Sequence, residues 1–256
     1  MDRLRRRRPA SGDEEHSYWI SFSDLMSALL VIFVLAVVVL VLQLGQQQRS
    51  LADQQERFSE QVSTLQQAEV VRSEMLLEIQ AELKAAGIDV LVSENNSVIS
   101  IPSELLGFEA ASYYIKDEYQ NVSLAIGKAV ARAIDKDNRH KYLDTVFVEG
   151  HTDNVHFAGL EGAGNWGLST FRAISVWRLW EDELPRVDQL ARLRSADGSL
   201  LFSVSGYGET RPVNEKQSNA TNRAANRRID LRFTIVRPSS QDLVEIEEQF
   251  SSGAGK

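Results

Sequence analysis

Two polar groups in this chain have residue types and spacing that can do chemistry. The first is His151-Thr152-Asp153, with Asn165, Ser169 and Arg172 downstream. A His-Thr-Asp triplet suggests a metal or hydrolase centre. Four His and no Cys leave few soft ligands, however, and no second cluster pairs a nucleophile with its base. The loop Gly206-Tyr207-Gly208 resembles a phosphate cradle, but no lysine follows it. The second group is Asp24 with Ser21 and Ser27, which recur every third residue and form one polar stripe on a helix. Asp24 opens an apolar run. It is either a helix cap or interfacial acid that snorkels to the surface, or a carboxylate that binds and releases a cation while partly out of water.

These groups must be placed by very different elements. Leu25 to Leu42 is apolar except for Ser27. At 1.5 Å per residue it spans about 27 Å, close to the hydrocarbon thickness of a bilayer. Tyr18 and Trp19 suit the membrane interface. A cleaved signal peptide would be shorter and end in a small-residue site, whereas this run ends in Gln43-Leu44-Gly45-Gln46. A lipoprotein would need a Cys. Arg3, Arg5, Arg6, Arg7 and Arg8 precede the run, and only Arg49 and Arg57 closely follow it. The positive-inside rule then predicts residues 1–17 in the cytoplasm, a single span over 18–44, and the remainder outside the inner membrane.

The whole chain has 28 basic and 36 acidic residues, a net charge of −8. That argues against direct nucleic-acid binding. The absence of Cys excludes a disulfide scaffold, thiolate metal sites and thiol catalysis.

The stretch from Trp19 to Leu35 resembles the membrane helix of the MotB family, the B subunits of ion-driven stator units. Trp19, Phe22, Asp24, Leu25, Met26 and Phe33 carry the likeness. It implies that Asp24 is the ion-carrying acid and that Ser21, Ser23 and Ser27 lie beside the pore. Ser23 stands where flagellar members usually have Ala, and Ser27 where they often have Thr.

Residues 45–87 are rich in Gln, Glu, Ser and Ala. Leu44, Leu51, Phe58 and Leu65 recur at sevens, which predicts a parallel coiled coil and hence a dimer. The pattern blurs at Glu69 and resumes with Leu76, Ile79 and Leu83. The alternative is an amphipathic helix lying on its own globular domain. Gly87 ends the helix.

From Ile88 the pattern turns to alternation and turns. Strands are predicted at Val90–Val92, Val98–Ile101, Thr145–Gly150, Phe202–Gly208 and Ile229–Val236. Helices are predicted at Val122–Ile134, at Leu168–Leu184 with Ser169 capping its start, and at Ala220–Arg227. The fold class is therefore an α/β (α+β) sandwich over 88–236, with a loose tail at 237–256.

Four pieces of this region, in order, resemble the OmpA-like peptidoglycan-binding domain. They are Glu149-Gly150-His151-Thr152-Asp153, Asn165-Trp166-Gly167-Leu168-Ser169 with Arg172-Ala173, Gly206 to Pro212, and Asn222 to Ile229. The resemblance implies a pocket for the zwitterionic diaminopimelate of the wall. Asp153 would take its ammonium and Arg172 its carboxylate, with Thr152, Asn165, Leu168 and Ser169 shaping the site. The plainer reading is an Asp153–Arg172 ion pair that ties loop to helix. His151 reads as structural, and Arg223, Arg227 and Arg228 read as fold support.

Together the two resemblances imply a wall-anchored stator B subunit rather than an enzyme. It would be dimeric and surrounded by a MotA-like or ZorA-like membrane subunit, usually a pentameric ring. It would pass an ion, expected to be H⁺, with no cofactor and no bound metal. The Ser23 and Ser27 departures, the dense Arg start and the long linker point to the ZorB-like subunits of Zorya antiphage systems. The alternatives are a flagellar motility stator and a non-conducting wall tether.

Overall fold

The computed structural model describes residues 12–109 and 111–237; for residues 12–18, 20 and 21 it describes the backbone alone. The Arg-rich start at 1–11, the Ser21 side chain and the tail from 238 lie outside the described residues.

The chain forms two compact units, one from the N-terminal part of the first helix and one spanning 61–240. Helix α1 runs Gly12–Ala85. In its first part, from Phe22 onward, the helix is long and apolar enough to cross a membrane. Its large apolar side chains are exposed among the described residues: Phe33 is 67% exposed and Leu40 64%. Asp24 lies at the start of this stretch. The Ser27 hydroxyl donates to the Ser23 carbonyl at 2.7 Å. That bond satisfies a hydroxyl which hydrocarbon would otherwise strand. The rings of Trp19 and Phe22 meet edge to face at 6.4 Å.

In the second unit, α1 changes role. Met75, Leu76, Ile79 and Leu83 are buried in the core of the globular domain. Their spacing is one stripe of a 3.6-residue period. Glu78 reinforces the contact by pairing with Lys136 at 2.7 Å and Arg139 at 2.8 Å. Those two cations hold its carboxyl below the usual carboxylate range. For Leu76, Ile79 and Leu83 the observed arrangement is thus a helix packed on its own domain. Leu44, Leu51 and Phe58, the first heptad positions, remain exposed. Gly87 closes α1 in left-handed backbone, φ 78°. The Gly87 and Ile88 amides then bond back to Lys84 and Leu83, so the last carbonyls of the helix are satisfied.

A five-stranded sheet follows: β1 Leu91–Val92, β2 Val98–Pro102, β3 Leu143–His151, β4 Phe202–Gly206 and β5 Arg228–Ile235. Its order is β1-β2-β5-β3-β4. β3 and β4 are parallel; the other pairs are antiparallel. The helices are α2 Ser103–Leu106, α3 Asp117–Asp135, α4 Gly164–Glu183 and α5 Ala220–Asn226. α4 forms the crossover between the parallel pair.

One sheet face supplies Ile99, Ile101, Val146, Val148, Leu231 and Phe233 to the apolar core, with α3, α4 and the end of α1. Trp180 of α4 is fully buried there, and its indole N–H donates to the Ser123 carbonyl of α3 at 2.7 Å. This is the predicted α/β sandwich, and each predicted strand and helix of the domain is present within a few residues. Two helix starts differ most: α3 begins at Asp117, five residues before Val122, and α4 begins four residues before Leu168. α4 begins at Gly164 without a side-chain cap, so Ser169 lies inside the helix rather than at its start.

The opposite sheet face carries a buried polar layer. Arg232 grips both oxygens of Glu149 at 2.8–3.0 Å, and the Tyr207 hydroxyl donates to the same carboxylate at 3.1 Å. Arg228 Nε lies 3.0 Å from both oxygens of Asp230. His151 Nε2 lies 3.2 Å from Asp230, and its ring stacks on Tyr207.

Candidate functional site

The site is made by pressing the first turns of α4 against the ends of β3 and β4. Two glycines permit this. A Cβ on Gly150 would lie 1.9 Å from the Ser169 carbonyl oxygen, and one on Gly206 would lie 2.5 Å from the Thr170 amide. Any side chain there would push the helix off the sheet. Ser169 completes the joint: its hydroxyl donates to the Trp166 carbonyl at 3.0 Å and accepts from the Gly208 amide at 2.9 Å. The Thr152 amide donates to the Gly208 carbonyl at 2.9 Å, locking the end of β3 to the loop after β4.

The resulting cavity, about 410 Å³, is lined by Thr152, Asp153, Asn165, Leu168 and Arg172, by Phe108, Glu109 and Ala111, by the 155–157 loop, and by Arg223 and Arg227. Five of the six predicted wall-binding residues therefore meet at one cavity. Ser169 does not line it; fully buried, it positions the elements that do.

Two buried polar atoms at this cavity lack partners among the described residues: Thr152 Oγ1 and Asn165 Oδ1. The Asn165 amide is oriented by donating to the Val155 carbonyl at 3.1 Å. Buried polar atoms normally find partners, so two orphans on one cavity wall are what a polar ligand would satisfy.

Arg172, 2% exposed, reaches back under the 108–112 segment. Its Nε donates to the Ser112 carbonyl at 2.8 Å, its Nη2 to the Glu109 carbonyl at 3.0 Å, and its guanidinium lies 5.2 Å from the Phe108 ring centre. Between those carbonyls Ala111 takes φ 57°, a costly conformation for a residue with a Cβ. Arg172 Nη1 makes no hydrogen bond among the described residues. Burial, the nearby Arg227 charge and, in the opposite sense, Asp153 leave its pKa lowered to about 10. It is still charged near neutral pH.

Asp153 does not pair with Arg172. Its Oδ2 accepts from Arg227 Nη1 at 2.8 Å, and its Oδ1 accepts from the Val155 amide at 3.1 Å. The plainer alternative read from sequence, an Asp153–Arg172 ion pair, is not formed; Asp153 pairs instead with Arg227, 74 positions away. Arg223 and Arg227, read from sequence as fold support, line the cavity. Arg228 does support the fold, within the polar layer. Asn226, fully buried, accepts from the Val213 and Asn214 amides and donates to the Asn214 carbonyl, which fastens the loop before α5.

Glu149, His151 and Asp230 could in principle share a metal ion, since their ligand atoms lie within 4.8 Å of one another. Both carboxylates are already neutralised by guanidiniums, Glu149 through two nitrogens of Arg232 and Asp230 through the Nε–H of Arg228 shared between its oxygens, and a cation would have to displace them. The chemistry of the set therefore fits a structural layer better than a metal centre.

Residues 108–227 match the OmpA family. The C-terminal domain is OmpA-like. Over 86 residues the chain is 33% identical to Motility protein B of Bacillus subtilis, covering 34% of this chain and 28% of that protein's length. Among solved structures, the OmpA-like domain is similar to the cell wall anchor of the T6SS from Pseudomonas aeruginosa. That match has 28% identity and a TM-score of 0.45, and covers 63% of this chain and 97% of that one. A putative MotB-like protein from Desulfovibrio vulgaris matches with 17% identity and a TM-score of 0.48, over 67% of this chain and 99% of the other. The periplasmic domain of Helicobacter pylori MotB matches with 22% identity and a TM-score of 0.43, over 62% and 87%.

Proposed function

We propose that this protein is the wall-anchored B subunit of an ion-driven rotary motor. One observation carries the reading: an acid, Asp24, opens the membrane-length apolar helix of the same chain that ends in an OmpA-like domain. A wall anchor alone has no need of an acid there, because an Asp in a spanning helix costs insertion energy, up to about 2.5–3.5 kcal/mol at the centre.

In this reading the N-terminus is cytoplasmic, the helix crosses the inner membrane once, and the OmpA-like domain is periplasmic. Asp24, flanked by Ser21, Ser23 and Ser27, accepts a proton from outside and releases it inside. Each charge that crosses 100 mV supplies about 2.3 kcal/mol. The changing charge on Asp24 alters its contacts with a surrounding MotA-like ring, and the ring turns about the anchored subunit. The chain acts as a dimer; the exposed Leu44, Leu51 and Phe58 seam supports a coil between two copies.

The cavity holds the diamino acid of the peptidoglycan stem. Asp153, Asn165 Oδ1 and Thr152 Oγ1 face the ammonium, and Arg172 Nη1 faces the carboxylate. The Ser23 and Ser27 departures and the Arg-rich start favour an output in antiphage defence, as in ZorB-like subunits. The Motility protein B match favours swimming as the second reading.

Phage plating and swimming assays on cells with the native operon test this, using wild type and Asp24→Asn. Loss of protection at unchanged membrane abundance is expected. Loss of swimming instead would assign the motor to motility, and full activity of the variant would overturn the ion-carrier role. For the wall site, Arg172→Ala should reduce co-sedimentation with purified sacculi by about tenfold or more. Undiminished binding would leave Arg172 a purely structural clamp on the 109–112 segment.

A further inference from the structure

The charges around the cavity do not balance for a simple zwitterion. Its lining carries three guanidiniums, those of Arg172, Arg223 and Arg227, against the carboxylates of Asp153 and Glu109. Glu109 is answered elsewhere, by Lys116 at 3.0 Å, and its side chain is largely exposed. Asp153 is therefore the single acid committed to the cavity, and Arg227 already pairs with it. The rim residue His156 adds no negative charge.

Arg227 is not fully committed to that pair. It sits in the short link between α5 and β5, one-third exposed, with a second carboxylate, Glu104, at 3.6 Å. Arg223 spends one donor on the Gln217 carbonyl at 3.1 Å. Burial lowers the Arg172 pKa most, and repulsion from the nearby Arg227 charge lowers it further. An anion between them would relieve that repulsion.

An ammonium arriving at Asp153 competes directly with Arg227 for the same oxygen. Glu104, largely exposed, is a weak substitute for Asp153, so the exchange is favourable only if the released guanidinium finds a closer anion, since a partly buried charge poorly compensated is costly. A ligand with one ammonium and one carboxylate offers that carboxylate to Arg172 and nothing to Arg227.

We infer that Arg227, assisted by Arg223, is a second carboxylate-binding residue, so that the cavity selects stem peptides carrying two free carboxylates beside one ammonium. Binding proceeds as an exchange of ion pairs: Asp153 passes from Arg227 to the ligand ammonium, and Arg227 passes to the second carboxylate. In a wall stem this second group is the α-carboxylate of the γ-linked glutamate that precedes the diamino acid, which is blocked when amidated. The inference rests on the wall-binding reading above.

The test uses calorimetric titration of the full chain in detergent micelles. The probes are two synthetic stem tripeptides: N-acetyl-alanyl-γ-glutamyl-diaminopimelate with its C-terminal α-carboxyl blocked as the amide, which keeps the glutamate α-carboxylate and the distal ammonium and carboxylate of the diamino acid, and the same peptide amidated also at the glutamate α-carboxylate. Wild type should bind the glutamate free acid about tenfold more tightly than the glutamate amide. Arg227→Gln should bind the two peptides equally, near the wild-type affinity for the amide, and Arg227→Lys should restore part of the preference. Equal binding of both peptides by wild type would overturn the inference while leaving the wall-binding reading intact. Discrimination undiminished in Arg227→Gln would also overturn it. Failure of wild type to bind either peptide would instead remove the wall-binding reading, and the inference with it.

Discussion

The membrane-length part of α1 and the OmpA-like domain solve the same problem with opposite means. In the domain, apolar side chains find their complement within the chain: Met75, Leu76 and Ile79 are fully buried, and so are Trp180 and Leu231. In the first part of α1, the apolar residues between Leu25 and Leu42 are mostly half or more exposed, as are Leu44, Leu51 and Phe58. Burying apolar surface is worth about 25 cal/mol per Å², so such a run specifies a structure only together with what covers it. The domain is closed on itself, whereas the apolar face of the helix is left uncovered by the described residues. The polar residues follow suit: Asp153 has an internal partner in Arg227, while Asp24 is exposed at the start of the apolar run.

The strongest way to break this comparison is to remove one large apolar side chain from each region. Trp180→Ala should destabilise the domain by about 3–5 kcal/mol, from the cavity it leaves and the lost bond to the Ser123 carbonyl. At roughly 2–4 °C per kcal/mol for a domain of this size, its thermal midpoint should fall by about 10 °C. Phe33→Ala should leave that midpoint unchanged in detergent, because nothing in the domain depends on it. A comparable fall for Phe33→Ala would mean that the helix is folded on the domain rather than reserved for a membrane or partner. Scanning calorimetry of the two variants separates the outcomes.

What the sequence revealed follows the same division. The strands of the domain were legible because one face of each is apolar and the other polar, as in Val146, Val148 and their neighbours, and a period of two is hard to mistake. The membrane-length run was legible from its length alone. The start of α4 was not, since Gly164-Asn165-Trp166-Gly167 holds poor helix formers and Ala163 supplies no cap. Those residues are helical because the glycines at 150 and 206 let the helix dock. The stripe Leu76, Ile79, Leu83 was readable as amphipathic, but a coil seam and a domain-facing stripe share one pattern, and only the packed domain distinguishes them. The Asp153–Arg227 pair joins residues 74 positions apart, a separation that no local motif encodes. The excess of guanidiniums around the cavity was hidden for the same reason.

A smaller effect sharpens the contrast on the polar side. Asp230 is buried, and burial by itself would raise its carboxyl pKa. The contact with His151, the Arg228 charge and the Ser100 hydroxyl outweigh that and hold it below the ordinary value. A carboxyl whose pKa is lowered on folding contributes stability that is present above its unfolded pKa, about 3.9, and is lost as pH falls through the folded value. Asp230→Asn leaves Arg228 without its carboxylate partner in a buried layer, so at pH 7 the domain should lose about 3 kcal/mol. The gap between wild type and variant should narrow as pH drops from about 5 to below 3, because acid neutralises Asp230 in the wild type and leaves the amide unchanged. Denaturant titrations of both proteins across that range read the gap directly. A gap that stays constant with pH would mean that Asp230 acts through packing rather than charge. The polar layer would then be, in energetic terms, one more closed part of the domain's core.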